Sequence, residues 1–376
     1  MTSNKSMQYS MKIVLMIVFM VFSFFKNSYA HAPGLSSADL VVDAKGLAVI
    51  ITFAFQDIEA LAPMDGDQDA EVTDAEREGA KSEIAKLINN ELRIKLNGMD
   101  FQPSAPGNVS YDNQNNVHIE FWFEKASVKQ IGMQFLLLKK LQQGHKQFVT
   151  IKDGFHHELQ QKMLTQQDDQ ITVDVEKSAE GVAANHESSQ KTTFLDFVLL
   201  GIEHILTGYD HLLFLFSLLV VTRSFWPAIK IITFFTIAHS ITLALAGFNV
   251  VDIPSNIVEP LIAATIVYVG VENLIRGDKP KGRGLLTFFF GLVHGFGFAG
   301  VLREMGISSY ETGIMVPLFS FNLGVEVGQI TVAAFVLPII WWLHKKPRIG
   351  LRLTPICSVF ASLAGVYWLV ERTLLG

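Results

Sequence analysis

The sequence predicts a two-part protein: an exported β-sandwich-like domain with one helix, then an all-α bundle of about six transmembrane helices. Three observations carry this expectation. The chain is 49% hydrophobic and only 18% charged, where soluble domains carry about 25% charged residues. Its charge is divided, with 15 basic and 25 acidic residues over 31–192 but 12 and 11 over 193–376. Short alternating segments fill the first part, and long apolar runs fill the second.

The first thirty residues read as a secretory signal peptide. Lys5 and Lys12 precede the apolar run Ile13–Phe25, and Ser28 and Ala30 occupy the small-residue positions of a cleavage site. Cleavage after Ala30 would leave a mature chain starting His31-Ala32-Pro33, and a free amino terminus beside an imidazole can chelate copper.

Residues 31–176 alternate in the manner of strands at Ala38–Val42, Leu47–Phe55, Leu92–Leu96, Val117–Phe123, Met133–Leu138, Phe148–Ile151 and Ile171–Val175. A helix is expected over Asp74–Leu92, with Ile84, Leu87 and Ile88 on one face. Just before it, Asp65, Asp67, Asp69 and Glu76 stand at positions 1, 3, 5 and 12 of a loop resembling an EF-hand calcium site. Ala70 replaces the usual turn glycine, and the acids would also favour the helix N-terminus without an ion. Residues 177–193 are polar, small and aperiodic, and read as a linker.

The membrane part, 194–376, holds apolar stretches at 195–221, 228–248, 257–275, 285–303, 313–343 and 355–371. Pro317 and Pro338 would break or kink the long fifth stretch. If the linker is outside, the inner loops carry Arg223, Lys230, Arg276, Lys279, Lys281, Arg283, Lys345, Lys346, Arg348 and Arg352, against Arg303 and Arg372 outside. This positive-inside bias agrees with the signal peptide. It places the protein in the inner membrane, multi-pass, with the N-terminal domain and the C-terminus on the exported side.

Ionisable groups recur inside these stretches, although each charged residue at a helix centre costs about 2.5–3.5 kcal/mol on insertion scales. Helix one has Glu203, His204, Asp210 and His211, helix two His239, helix four His294, and helix five Asn322, Glu326 and Gln329. On an unbroken helix His204 and His211 would lie about 10 Å apart. They would then be successive stations, unless Gly208 marks a break that joins them. Imidazole plus carboxylate without thiolate suits nickel, cobalt or zinc, since Cys357 is the single cysteine. The candidate ligands are therefore Glu203, His204, Asp210, His211, His239, His294 and Glu326.

The run His204-x5-Asp210-His211 and the later His294-Gly295-Phe296-Gly297 resemble the HupE/UreJ family of membrane proteins over residues 194–376. That resemblance implies a nickel- or cobalt-related uptake role. Where the family has a second histidine in the later stretch, this chain has Phe298 or a near neighbour, and His239 stands as a compensating ligand. An exported domain ahead of the bundle looks like a subgroup whose substrate need not be nickel.

The residues alone leave several classes open. They are a metal-ion permease or accessory protein, a membrane-embedded metal-dependent hydrolase, a haem protein with paired axial histidines, and an interaction protein without transport. No nucleotide-binding loop is present to power transport. With no basic excess, nucleic acid is not an expected partner. Membrane lipid, the metal ion and an exported metal-donor protein are.

Overall fold

The structure, a computed structural model, describes residues 34–67, 72–112, 116–176, 182–248, 250–251, 253–277, 282–298, 315–346 and 349–374, with backbone alone over 182–193. The expected signal peptide, Asp69 and residues 177–181 of the expected linker lie outside these.

A sheet-rich domain comes first. Its strands are β1 (Leu35–Val42), β2 (Gly46–Ala54), β3 (Leu92–Leu96), β4 (Met99–Phe101), β5 (Asn108–Tyr111), β6 (Asn116–Glu124), β7 (Gln130–Phe135), β8 (Lys146–Asp153), β9 (Glu158–Leu164) and β10 (Gln170–Asp174). The seven expected strands are all present, and β4, β5 and β9 are additional. β4 and β5 span three and four residues, too few to display an alternation. β9 carries consecutive glutamines and a lysine, which conceal its buried Leu159, Met163 and Leu164.

One sheet runs β5-β6-β2-β1-β8-β9 and the other β10-β7-β3-β4. β1 pairs antiparallel with β2 and parallel with β8. Leu40, Val49, Ile51, Phe53, Ile119 and Ile151 of the first sheet share a core with Ile94, Ile131, Met133 and Val173 of the second. The domain also has two α-helices, α1 (Phe55–Glu59) and α2 (Asp74–Glu91). Ile84, Ala85 and Ile88 of α2 enter the same core, as the helical spacing requires.

The opposite face of the first sheet is also covered. Leu35 of β1, Phe148 of β8 and Met163 of β9 join an apolar cluster with Phe197, Leu200, Phe321 and Val325 of the helical part. Phe148 meets Phe197 edge-on at 5.4 Å. This explains why β8 reads as a continuous buried run rather than a half-buried strand.

The helical part comprises α3 (Val182–Thr207), α4 (Tyr209–Leu219), α5 (Phe225–Gly247), α6 (Ser255–Arg276), α7 (Arg283–Gly297), α8 (Met315–His344) and α9 (Gly350–Leu374). Among the described residues α5, α6, α8 and α9 are each long and apolar enough to cross a membrane. The expected first span is two helices: Phe194–Thr207 and Tyr209–Leu219 meet at a 72° bend and together form a fifth candidate. The described part of α7 is 15 residues, and the rest of the expected fourth span lies outside the described residues. Of the break or kink expected in the fifth stretch, no break is found: α8 is one helix of 30 residues with Pro338 inside it. Pro317 falls in its first turn, where a missing amide proton removes no helical bond. Helix α3 continues back to Val182, through residues read as linker.

Glycines allow the tightest helix pairs to form. A Cβ on Gly201 of α3 would sit 2.9 Å from the Val325 amide of α8, and one on Gly324 would sit 3.1 Å from Gly201 Cα. In the same way Gly291 and Gly295 of α7 admit the Phe235 and His239 carbonyls of α5, each 2.6 Å from the position of a Cβ. Gly270 of α6 faces the Ser358 carbonyl of α9. Small residues are what allow helices to pack closely where lipid supplies no hydrophobic drive. Substituting Gly324→Leu should therefore separate α3 from α8. The expected result is loss of the monodisperse peak on size-exclusion chromatography in detergent, whereas Leu323→Ala, on the exposed side, should keep it.

Candidate metal centre

The break at Gly208 builds the site. Its backbone leaves the helical region at φ −74° and ψ 92°, ending α3 and starting α4. The Gly208 amide still bonds the His204 carbonyl at 2.9 Å, and the Leu212 amide bonds the Gly208 carbonyl at 2.9 Å. Backbone polarity is thus satisfied through the bend, as an apolar surrounding demands. A Cβ at 208 would lie 2.7 Å from the His204 carbonyl and 3.1 Å from His211 Nδ1, so the bend requires glycine. The consequence is that the His204 and His211 rings lie 4.7 Å apart. Of the two sequence alternatives for this pair, the broken helix is the one found.

His239 of α5 completes a trio, with one ligand nitrogen from each of His204, His211 and His239 lying within 4.8 Å of one another. His294 of α7 adjoins it, its ring 5.0 Å from that of His211. His239 and His294 are fully buried, and His211 is 6% exposed.

Neighbouring groups fix which nitrogen faces inward. His211 Nδ1 bonds Asp210 Oδ1 at 2.9 Å, and a carboxylate only accepts, so His211 Nδ1 carries the proton. His239 Nδ1 bonds Asn322 Oδ1 at 3.1 Å, while Asn322 Nδ2 donates to the Leu318 carbonyl at 2.8 Å. Asn322 therefore presents its oxygen to His239, and the proton again sits on Nδ1. Thr265 donates to the Ile262 carbonyl at 2.7 Å, so at 2.9 Å it accepts from His294 Nε2. Three histidines are thereby locked as tautomers with a bare lone pair on the other nitrogen.

Those other nitrogens have no partner. His204 Nε2, His211 Nε2, His239 Nε2 and His294 Nδ1 are all buried and unpaired. A buried polar atom without a partner costs roughly 1–3 kcal/mol, and four in one place is not how packing alone disposes of polarity. Histidine ligands commonly bond a carboxylate or carbonyl through their second nitrogen, and here Asp210, Asn322 and the Thr265 hydroxyl each bond one histidine nitrogen and leave the other bare. The Phe298 ring lies 4.7 Å from His204 and stacks on Phe321 at 4.2 Å. Phe214 and Phe235 cover His294 from the other side.

The acids are distributed differently from the histidines. Asp210 faces His211 and also Arg372 of α9 at 3.6 Å. Glu203 turns away from the trio and pairs with Lys146 of β8 in the sheet-rich domain. Glu326 accepts from Thr233 of α5 at 2.8 Å, in a polar seam that continues with Thr236 and Gln329 at 3.2 Å. Neither Glu203 nor Glu326 shares the histidines' shell.

Sequence reasoning missed two supporting groups. Thr265 has no signal that separates it from any helix threonine. Arg372 reads in the sequence as part of the outer tail. Arg283, assigned to an inner loop, is buried at the start of α7, 3.7 Å from Glu272 and bonded to Asn273. Asn273 in turn donates to the Ser217 carbonyl at 2.7 Å.

In the sheet-rich domain, ligand oxygens of Asp65, Asp67 and Glu76 lie within 4.8 Å of one another. Glu76 forms a capping box with Thr73, and its two oxygens accept from the Thr73 amide at 2.9 Å, the Thr73 hydroxyl at 2.8 Å and the Gly66 amide at 2.8 Å. These donors, the Thr73 amide first, hold its carboxyl below the usual carboxylate range.

Comparison with known proteins bears on the helical part. The family model described as HupE / UreJ protein matches residues 180–372. No curated protein matches the chain.

Asn322→Leu removes the acceptor that holds His239 Nδ1. It should destabilise the protein by about 1–3 kcal/mol, read as a lowered midpoint of thermal unfolding in detergent. An unchanged midpoint would mean that His239 is not held by this bond.

Proposed function

On the premise that this chain belongs to the HupE/UreJ family, we propose that it is a permease for a divalent transition-metal ion of the nickel and cobalt class. The observation that carries the reading is the convergence of four unpaired imidazole nitrogens inside the bundle. Imidazole suits nickel, cobalt and zinc, and the thiolates that would favour softer ions are absent from the set. His204, His211 and His239 would form the shell around the ion, and His294 would be the next station. Asp210 would hold His211 in place through the bond to its Nδ1. Neutral imidazoles bind such an ion and their protonation releases it.

The charge pattern of the loops supports a multi-pass inner-membrane protein whose sheet-rich domain and C-terminus are on the exported side. Glu203, at the junction with that domain, would be the first acid an ion meets. An exported donor protein would deliver the ion there. In the 65–76 loop we propose a separate, weak calcium site, with affinity of about 10⁻⁴–10⁻³ M as in extracellular modules. Millimolar calcium should raise the unfolding temperature of the wild type but not of Asp65→Asn/Asp67→Asn.

Two measurements test the main reading together. Cells expressing the wild type should accumulate nickel or cobalt, and His211→Ala/His239→Ala should reduce this to background. Elemental mass spectrometry of purified protein should show metal in the wild type that this variant loses. Equal accumulation by both would refute the permease. One tightly held zinc without accumulation would instead favour the hydrolase class.

A further inference from the structure

A cavity of about 500 Å³ opens at the end of the bundle where α6 and α8 finish and α9 begins. Arg223, Asn273, His344, Lys346 and Thr354 make its polar wall. Among the described residues no aspartate or glutamate lines it. Glu272, beside Asn273, is already engaged by Arg276 at 3.4 Å and by Arg283 at 3.7 Å. Arg283 is buried and donates to Asn273, while its Nε and Nη1 have no hydrogen-bond partner. The cations around this cavity thus outnumber the carboxylates. The first turn of α9 also carries no acidic residue, so the positive end of that helix meets the same space.

Two of the polar side chains are already committed. Asn273 Nδ2 donates to the Ser217 carbonyl at 2.7 Å. His344 Nδ1 donates to the Ile340 carbonyl at 2.9 Å, and its Nε2 faces the Thr354 hydroxyl at 3.4 Å. The charge that a ligand would meet therefore comes from Arg223 and Lys346.

The remaining wall is apolar, and its Leu274 and Leu351 are exposed. Exposed Trp226 at the start of α5 and Trp342 near the end of α8 stand at the same end of the bundle. Lys346 lies over the Trp342 ring at 4.9 Å. Tryptophan at the ends of spanning helices marks the boundary between hydrocarbon and water. A cavity at that boundary with a cationic wall and an apolar rim matches a molecule that is anionic at one end and apolar at the other.

We propose that this cavity binds the headgroup phosphate of an anionic phospholipid, with Arg223 and Lys346 as its charge contacts and Leu274 and Leu351 against its acyl chains. Basic pockets between helices at a membrane surface hold such headgroups. Free phosphate would meet the same cations but would gain nothing from the apolar rim. A lipid held here would tie the segment before α5 to the end of α8. His239 lies about 20 Å along α5 from Phe225 at this end, so the lipid site is separate from the histidine trio.

The test uses the full chain, stripped of lipid in detergent and titrated with phosphatidylglycerol, phosphatidylcholine or inorganic phosphate, with bound species counted by native mass spectrometry. Phosphatidylglycerol should bind as one tight adduct that neither phosphatidylcholine nor inorganic phosphate displaces. Its affinity should fall about fivefold in Arg223→Gln or Lys346→Gln and about thirtyfold in the double variant, at about 1 kcal/mol per cation. Lys345→Gln/Arg352→Gln removes the same charge at this end from exposed residues outside the cavity, and should bind as the wild type does. His211→Ala/His239→Ala should also keep the lipid, whatever it does to metal. An equal loss in Lys345→Gln/Arg352→Gln would mean attraction to surface charge only, and displacement by inorganic phosphate would mean a free-anion site. Either result, or unchanged binding in Arg223→Gln/Lys346→Gln, would overturn the proposal.

Discussion

The helix break at Gly208 is the constraint on which the membrane site depends. Seven residues of unbroken helix would hold His204 and His211 about 10 Å apart. The bend brings their rings to 4.7 Å. In an apolar surrounding such a bend survives only if its backbone groups stay bonded, and the His204 and Gly208 carbonyls each receive an amide across it. Side chains then carry the polarity, concentrated where α3, α4, α5 and α7 meet.

Holding that many imidazoles together requires close helices, and the glycines supply this. Gly295 of α7 lies against the His239 carbonyl, so the helix that bears His294 is pressed onto the helix that bears His239. Gly201 and Gly324 do the same for α3 and α8, which brings Phe321 to His204. The packing residues and the residues that orient the histidines are therefore on the same helix faces. A larger residue at any of these glycines would misplace a histidine as well as a helix.

The division into a sheet-rich domain and a membrane bundle was legible because burial writes itself as periodicity and composition. β3 is the clearest case, with Leu92, Ile94 and Leu96 buried and Arg93 and Lys95 exposed. Three to four residues cannot show a period, so β4 and β5 were not legible. The histidines were legible because a polar group inside an apolar run is expensive and needs a reason. Their grouping was not, since it depends on whether one glycine bends a helix. Composition cannot distinguish a glycine that packs, like Gly201, from one that bends, like Gly208. The directions of the acids were not legible for a related reason. Position along a helix gives depth, but the direction a side chain takes is set by partners such as Lys146 and Thr233, which lie far away in sequence.

Those partners bear on what the site would select. Each acid nearest the histidines is matched by a cation from another element: Asp210 by Arg372 of α9, and Glu203 by Lys146 of β8. An entering dication would find little uncompensated negative charge. Hard ions such as magnesium and calcium bind through carboxylate charge and oxygen number, and would gain little here. A borderline ion that takes imidazole nitrogen would gain the bonds that four buried lone pairs otherwise forgo. If the cluster holds an ion, pairing the acids internally would make it discriminate by ligand type, through the nitrogens rather than through the field.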